Sequence, residues 1–197
     1  MARPKQVTDE TLFSTAQHLY MLRGHQQFTL SELARELDIS RAAIIQRFEG
    51  VEALKRTLSE QALTYFEQLL GSVPTTRSAA SLMALAVCIG DMLGSRAQLA
   101  SFLQGFQADL ADEALAQLDR RRTEVLFNAV SQRMPELVIS HDAAVEAFIA
   151  HLGGTLLQWQ VIPEEISPTE FLIERTRVWL RLAGIPLDDP TEEPCTR

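Results

Sequence analysis

Eight prolines punctuate this 197-residue chain, and none of them falls between residues 5 and 73. They stand at positions 4, 74, 135, 163, 168, 186, 190 and 194. The pyrrolidine ring removes an N–H donor and clashes with the carbonyl four residues back, so proline ends or starts helices and avoids their interiors. Each proline after Pro4 sits where a 3.6-residue apolar period stops or begins. No stretch alternates apolar and polar residues between turn residues, as a half-buried strand would. The chain therefore reads as all-α.

Composition bounds the rest. Hydrophobic residues make up 46% of the chain, enough for a core and too many for a disordered segment. The longest apolar run, Leu82 to Gly90, stops at Asp91, well short of the roughly 18 residues of a membrane span, so no membrane partner is expected. The N-terminal MARPKQVTDE has basic residues without an apolar stretch behind them, which argues against a secretory signal. Cys88 and Cys195 are expected to be free thiols in a reducing cytoplasm. The net charge of −8 is uneven: residues 1–57 hold 8 basic against 7 acidic side chains, the remainder 10 against 19. Such a split hints at different partners for the two parts.

Capping signals set the expected helices. The first runs from about Asp9 to Arg23, capped by Thr8 and ended by Gly24, with Leu12, Ala16 and Leu19 on one face. Thr29-Leu30-Ser31-Glu32 has the form of a capping box. It opens a helix whose Leu30, Leu33, Ala34 and Leu37 share a side. Asp38-Ile39-Ser40 is a tight joint, and Ser40 caps a short helix from about Arg41 to Phe48, ended by Gly50. A longer helix follows over about 52–70, with Leu54, Leu58, Ala62, Tyr65 and Leu69 on one side. Further helices are expected near 79–94, 96–108, 112–134, 141–161 and 168–184. Ser167-Pro168-Thr169-Glu170 combines a cap, a proline at the first helical position and a capping-box glutamate.

Two short helices with a three-residue joint make a helix-turn-helix, whose second member can enter the DNA major groove. On that member Ile44 and Phe48 share a face and can close onto Leu33 and Leu37. Arg41, Ala42, Ile45 and Gln46 then point away. This outward side mixes small, apolar and hydrogen-bonding groups, where a merely solvated helix would carry charge. Arg41 can donate to guanine, Gln46 can pair with adenine, and Ala42, Ala43 or Ile45 can meet thymine methyls. Arg47, at the flank, suits a phosphate.

The run Phe28-Thr29-Leu30-Ser31-Glu32-Leu33-Ala34, continued by Leu37-Asp38-Ile39-Ser40-Arg41-Ala42-Ala43-Ile44 and Phe48-Glu49-Gly50-Val51-Glu52-Ala53-Leu54, resembles the DNA-binding domain of TetR-family transcriptional regulators. The likeness covers about residues 8–56. It implies a homeodomain-like three-helix domain over residues 1–50, a helical effector-binding and dimerisation domain over 51–187, and a flexible tail over 188–197. The implied DNA contacts are Arg3, Lys5, Thr29, Ser31, Ser40, Arg41, Ala42, Ala43, Ile45, Gln46 and Arg47. Two positions depart from the family pattern: no aromatic stands at Ile45 or Gln46, and Val51 replaces a lysine that grips phosphate. Arg47, Lys55, Arg56, Arg3 and Lys5 are the cations that could compensate, so a modest electrostatic grip is expected.

The C-terminal part offers no motif of its own. Ala143, Ala147, Ala150 and Gly154 recur at i, i+4, i+7 and i+11, with Phe148, Leu152, Leu156 and Trp159 alongside. The resemblance implies that the last two helices pair with a second copy, through Ala143, Ala147, Phe148, Ala150, Gly154, Trp159 and Trp179. The resulting homodimer would hold two recognition helices about one DNA turn apart over a palindromic operator. The resemblance also implies a partly apolar small-molecule effector, with Met83, Cys88, Met92, Phe102, Phe106, Phe127 and His151 as candidate contacts. No cofactor or metal is expected. An enzyme is not supported, because the chain lacks a phosphate loop, a Gly-x-Ser-x-Gly and a Cys-x-x-Cys, and its four histidines are scattered. The rival reading is a TetR-like dimer that has lost DNA binding and acts through protein contacts.

Overall fold

The computed structural model describes residues 7–48, 50–109, 112–163 and 165–187. Arg3, Lys5, Glu49, Cys195 and the expected tail over 188–197 lie outside the described residues. Among those described there are nine helices: α1 (Asp9–Gln27), α2 (Leu30–Leu37), α3 (Arg41–Phe48), α4 (Val51–Gly71), α5 (Ala79–Leu93), α6 (Arg96–Asp109), α7 (Glu113–Ser131), α8 (His141–Val161) and α9 (Pro168–Leu182). No single helix among them is long and apolar enough to cross a membrane.

The chain forms two compact units, one of residues 1–66 with 96–122 and the other of 67–95 with 123–197. The N-terminal unit is thus larger than the 1–50 domain expected from sequence, because α6 packs along α1. Its centre is a cluster of Leu12, Ala16, Leu19, Phe28, Leu30, Leu33, Ala34, Ile44, Leu54 and Leu58. Each fully buried leucine there contributes on the order of 2 kcal/mol of apolar burial. Thr8 Oγ1 accepts from the Thr11 N–H at 3.2 Å, starting α1 where its cap predicts. At its other end α1 continues through Gly24 to Gln27. A glycine inside a helix costs only about 1 kcal/mol, which the packing of a long helix outweighs.

α4 shows a second difference. Its buried residues are Leu54, Leu58, Ser59, Leu63, Phe66 and Leu70, while Tyr65 is exposed. The inward stripe steps across the helix surface after Leu58, so the Ala62–Tyr65–Leu69 continuation does not hold. The basic run at 120–122 is tied locally: Arg120 pairs with Glu113 at 2.6 Å, and Arg122 pairs with the buried Asp119. Burial pushes the Asp119 carboxyl up, and Arg122 pulls it back.

In the C-terminal unit, α5 packs against α9 and α8 against α9. A Cβ at Gly90 would stand 2.6 Å from the Thr169 backbone, so only glycine permits this approach of α5 to α9. Beside it, Thr169 Oγ1 donates to Asp91 at 2.6 Å. α9 begins with the expected capping box, Ser167 and Glu170 each serving the other's backbone N–H. The two hydrogen bonds from Ser167 hold the Glu170 carboxyl below the usual range. Between α8 and α9, Phe148 meets Trp179 edge to face with ring centroids 4.8 Å apart.

Candidate nucleic-acid interface

Three elements position the outward face of α3. Thr29 Oγ1 accepts from the Glu32 N–H at 3.2 Å and starts α2. α2 closes at Asp38, which takes a left-handed conformation (φ 54°), and the chain bonds back through the Ile39 N–H to the Ala34 carbonyl at 3.0 Å. Aspartate tolerates this backbone better than most residues, because its short side chain can bond locally. Ser40 Oγ then accepts from the Ala43 N–H at 3.1 Å, so α3 starts immediately after the joint. Gly50, with φ 125°, turns the chain into α4.

On α3, Ile44 is 0% exposed and anchors the helix in the core, with Phe48 half-buried beside it. Arg41, Ala42, Gln46 and Arg47 are exposed, Ala43 is half-buried, and Ile45 is 42% exposed. Thr29, Ser31 and Ser40 are exposed as well. Both cap hydroxyls use an oxygen lone pair for a backbone N–H and keep their own proton to donate. The face that α3 turns outward is therefore the one its periodicity predicts, and it holds donors, an amide and apolar groups together.

The expected cations are arranged differently. Arg47 Nη1 donates to the Val7 carbonyl at 2.9 Å and lies 3.4 Å from Asp9 Oδ1, so its guanidinium is turned to the start of α1. Lys55 Nζ lies 3.5 Å from Glu52 within the first turns of α4. The Glu52–Lys55 pair is an ordinary i, i+3 helical neighbour, whereas the Arg47 link, to a residue 40 positions away, has no local signature.

The C-terminal candidates divide. Ala143, Ala147, Ala150 and Gly154 are all exposed, and the same stripe runs on through the exposed Leu157 and Val161. Val178 and Leu182 of α9 are exposed too. Phe148 is 0% and Trp159 3% exposed: both lie in the interior of the C-terminal unit, Trp159 donating its Nε1–H to the Ile166 carbonyl at 2.8 Å. As placed, these two support the stripe from behind and cannot face a second copy. Trp179 is half-buried.

Of the effector candidates, Met83, Cys88 and Met92 of α5, Phe127 of α7 and His151 of α8 are half-buried members of the C-terminal unit. Phe102 belongs to the N-terminal unit and is exposed, and the side chain of Phe106 lies outside the described residues. Burial and the nearby Asp91 push the Cys88 thiol up, against a smaller opposite pull from Arg133. A surface groove of about 620 Å³ lies elsewhere, lined by Thr11, Ser14, His18, Glu32 and Arg35 among others. Among the described residues no cluster of His, Cys, Asp and Glu could hold a metal ion.

No protein-family model matches the chain, and no curated protein matches it either. Solved structures do. A transcriptional regulator from Rhodococcus sp. Rha1 superposes with a TM-score of 0.71 at 16% identity, covering 91% of this chain and 100% of its own. PfmR, a TetR-family transcriptional regulator from Thermus thermophilus, gives 0.58 at 17%, covering 86% and 97%. The transcriptional regulator FadR from Bacillus subtilis, solved with stearoyl-CoA, gives 0.62 at 13%, covering 91% and 100%. The chain has the all-α fold of TetR-type regulators over most of its length.

Proposed function

We propose that this chain is a TetR-like transcriptional regulator that binds a palindromic DNA operator as a dimer and is released by a small, partly apolar effector. The observation that carries the reading is the sidedness of α3. Ile44 holds one side in the core, while Arg41, Ala42, Ile45 and Gln46 look outward on a helix thin enough for the major groove. Support for the dimer comes from the outward stripe Ala143, Ala147, Ala150, Gly154, Leu157 and Val161 on α8. Small side chains at this spacing let a second helix backbone approach closely, and the apolar residues beyond them give area to bury. For the effector, Met83, Met92 and Phe127, half-buried in the C-terminal unit, are the adaptable apolar side chains that would line a pocket. A ligand of this character also fits the stearoyl-CoA with which FadR was solved.

Release follows from differential affinity. An effector that favours a dimer whose recognition helices are wrongly spaced weakens DNA binding by the ratio of its affinities for the two shapes. The fourth helix, which starts next to α3 and runs into the C-terminal unit, is the lever in this reading. A mobility shift with the duplex that precedes the chain's own coding sequence tests the proposal. Binding is expected, with Arg41→Ala relaxing preference at one base pair per half-site.

A second reading has a specific observation behind it. Val51 lacks the cation expected there, and Arg47 and Lys55 are engaged with Asp9 and Glu52. A dimer that works through protein contacts would need no cationic grip. Absence of a shift at low salt would favour that reading.

A further inference from the structure

We propose that Arg47 is a positioning residue, latching the recognition helix to the start of α1, and is not a phosphate ligand. The inference rests on the DNA-binding reading, although its first readout needs no DNA. Arg47 Nη1 donates to the Val7 carbonyl at 2.9 Å and sits 3.4 Å from Asp9 Oδ1. Its neighbour Phe48 packs edge to face on Phe13, with ring centroids 4.9 Å apart. Two consecutive residues at the end of α3 thus both reach α1, one through polar and one through apolar contact. Val7 itself is half-buried against the core cluster.

The chemistry suits a latch better than a clamp. A guanidinium presents its donors in a rigid fork, so engaging a fixed carbonyl and a carboxylate sets its orientation. The Asp9 carboxylate lies in the first turn of α1, where the helix dipole already favours a negative group. A cation this close to a carboxylate projects little net field toward a phosphate. Meanwhile α3 has only eight residues, and a single one of them, Ile44, is fully buried. A polar restraint at its far end fixes the angle at which Ala42, Ile45 and Gln46 are presented. The same bond holds Val7, the point from which Arg3 and Lys5 precede the described chain by four and two residues.

Amide hydrogen exchange on the free protein, combined with duplex affinity across a salt series, separates latch from clamp. Arg47→Ala is expected to speed exchange several-fold at Thr11 and Leu12 in the first turn of α1. It should also lower duplex affinity by about 10-fold per half-site, the size of one lost hydrogen bond to a charged group. The slope of log affinity against log salt should not change. Asp9→Ala should speed the same exchange and leave affinity equal or weaker, although it deletes a negative charge. The proposal is overturned if Arg47→Ala reduces the slope by about 1.8 per dimer, the value for two lost phosphate contacts. Tighter binding by Asp9→Ala, or unchanged exchange in both variants, also overturns it. If the wild type binds no duplex at all, the DNA reading falls, and the exchange comparison alone still decides the latch.

Discussion

Arg133 is 1% exposed and donates to the carbonyl oxygens of Pro74 (2.8 Å), Ala129 (2.6 Å), Leu70 (2.9 Å) and Val73 (2.5 Å). These acceptors include the last turn of α4 and the chain just beyond it, where a helix leaves carbonyls without partners and favours a cation. Burial pushes the guanidinium's pKa down, yet arginine stays protonated across the accessible range. Arg133→Met keeps the volume and takes the guanidinium donors from four carbonyls, of which that of Leu70 also accepts the Val73 N–H at 3.4 Å. We expect a loss of about 3 kcal/mol or more in urea unfolding; a loss under about 0.5 kcal/mol would contradict this role. Nothing local in the sequence announces the clamp, since three of its acceptors lie 59, 60 and 63 residues away. His151 is the other informative side chain. Its ring stacks on Trp179 at 6.0 Å, with nitrogens 3.4 Å from Thr176 Oγ1 and 3.5 Å from Thr155 Oγ1. Burial holds it below the ordinary imidazole value. The folded state therefore binds the proton less readily than the unfolded one, so stability is full above about pH 6.5 and declines as pH falls through that value. Thermal unfolding at about pH 7.5 and about pH 5, on either side of the ordinary imidazole value, should show a smaller acid loss for His151→Gln than for the wild type.

At the scale of helices, the boundaries most legible in sequence were those with a chemical cap. Thr29, Ser40 and Ser167 each accept the N–H three residues on, and α2, α3 and α9 start where these residues predict. Ends marked only by glycine were less secure, as the run of α1 through Gly24 illustrates. Periodicity also identifies residues on a common face without saying which of two apolar faces turns inward. On α8 the family resemblance implies Phe148 and Trp159 as interface beside the small-residue stripe, whereas the bulky side chains fill the interior and the small ones remain outside. The α5–α9 crossing was invisible, because it depends on one missing side chain at Gly90. Gly90→Ala should destabilise by about 1–3 kcal/mol through overpacking against the Thr169 backbone. Gly71→Ala at the end of α4, where a Cβ meets nothing within 4 Å, should be neutral or stabilising in the same denaturation series.

As a whole molecule, the proposed regulator carries an outward recognition face in one unit and an outward apolar face in the other. In the proposed dimer a second copy covers the latter: the exposed stripe from Ala143 to Val161, together with exposed Val178 and Leu182 of α9, is the apolar surface offered to it. Ala147→Glu, exposed in the protomer, should leave helicity intact and shift sedimentation from dimer to monomer. A variant still dimeric at micromolar concentration would place the interface elsewhere. In that reading the overall charge of −8 lends the rest of the surface no long-range attraction for DNA, so binding depends on α3 and its flanks. The most direct measurement is selection of bound duplexes from a random pool by the purified protein. An inverted repeat with half-site centres about 10 base pairs apart is expected, with a preference that flattens at one position per half-site in Gln46→Ala. No enrichment at low salt, or a preference indifferent to substitution at Arg41, Ala42, Ile45 and Gln46 alike, would contradict it.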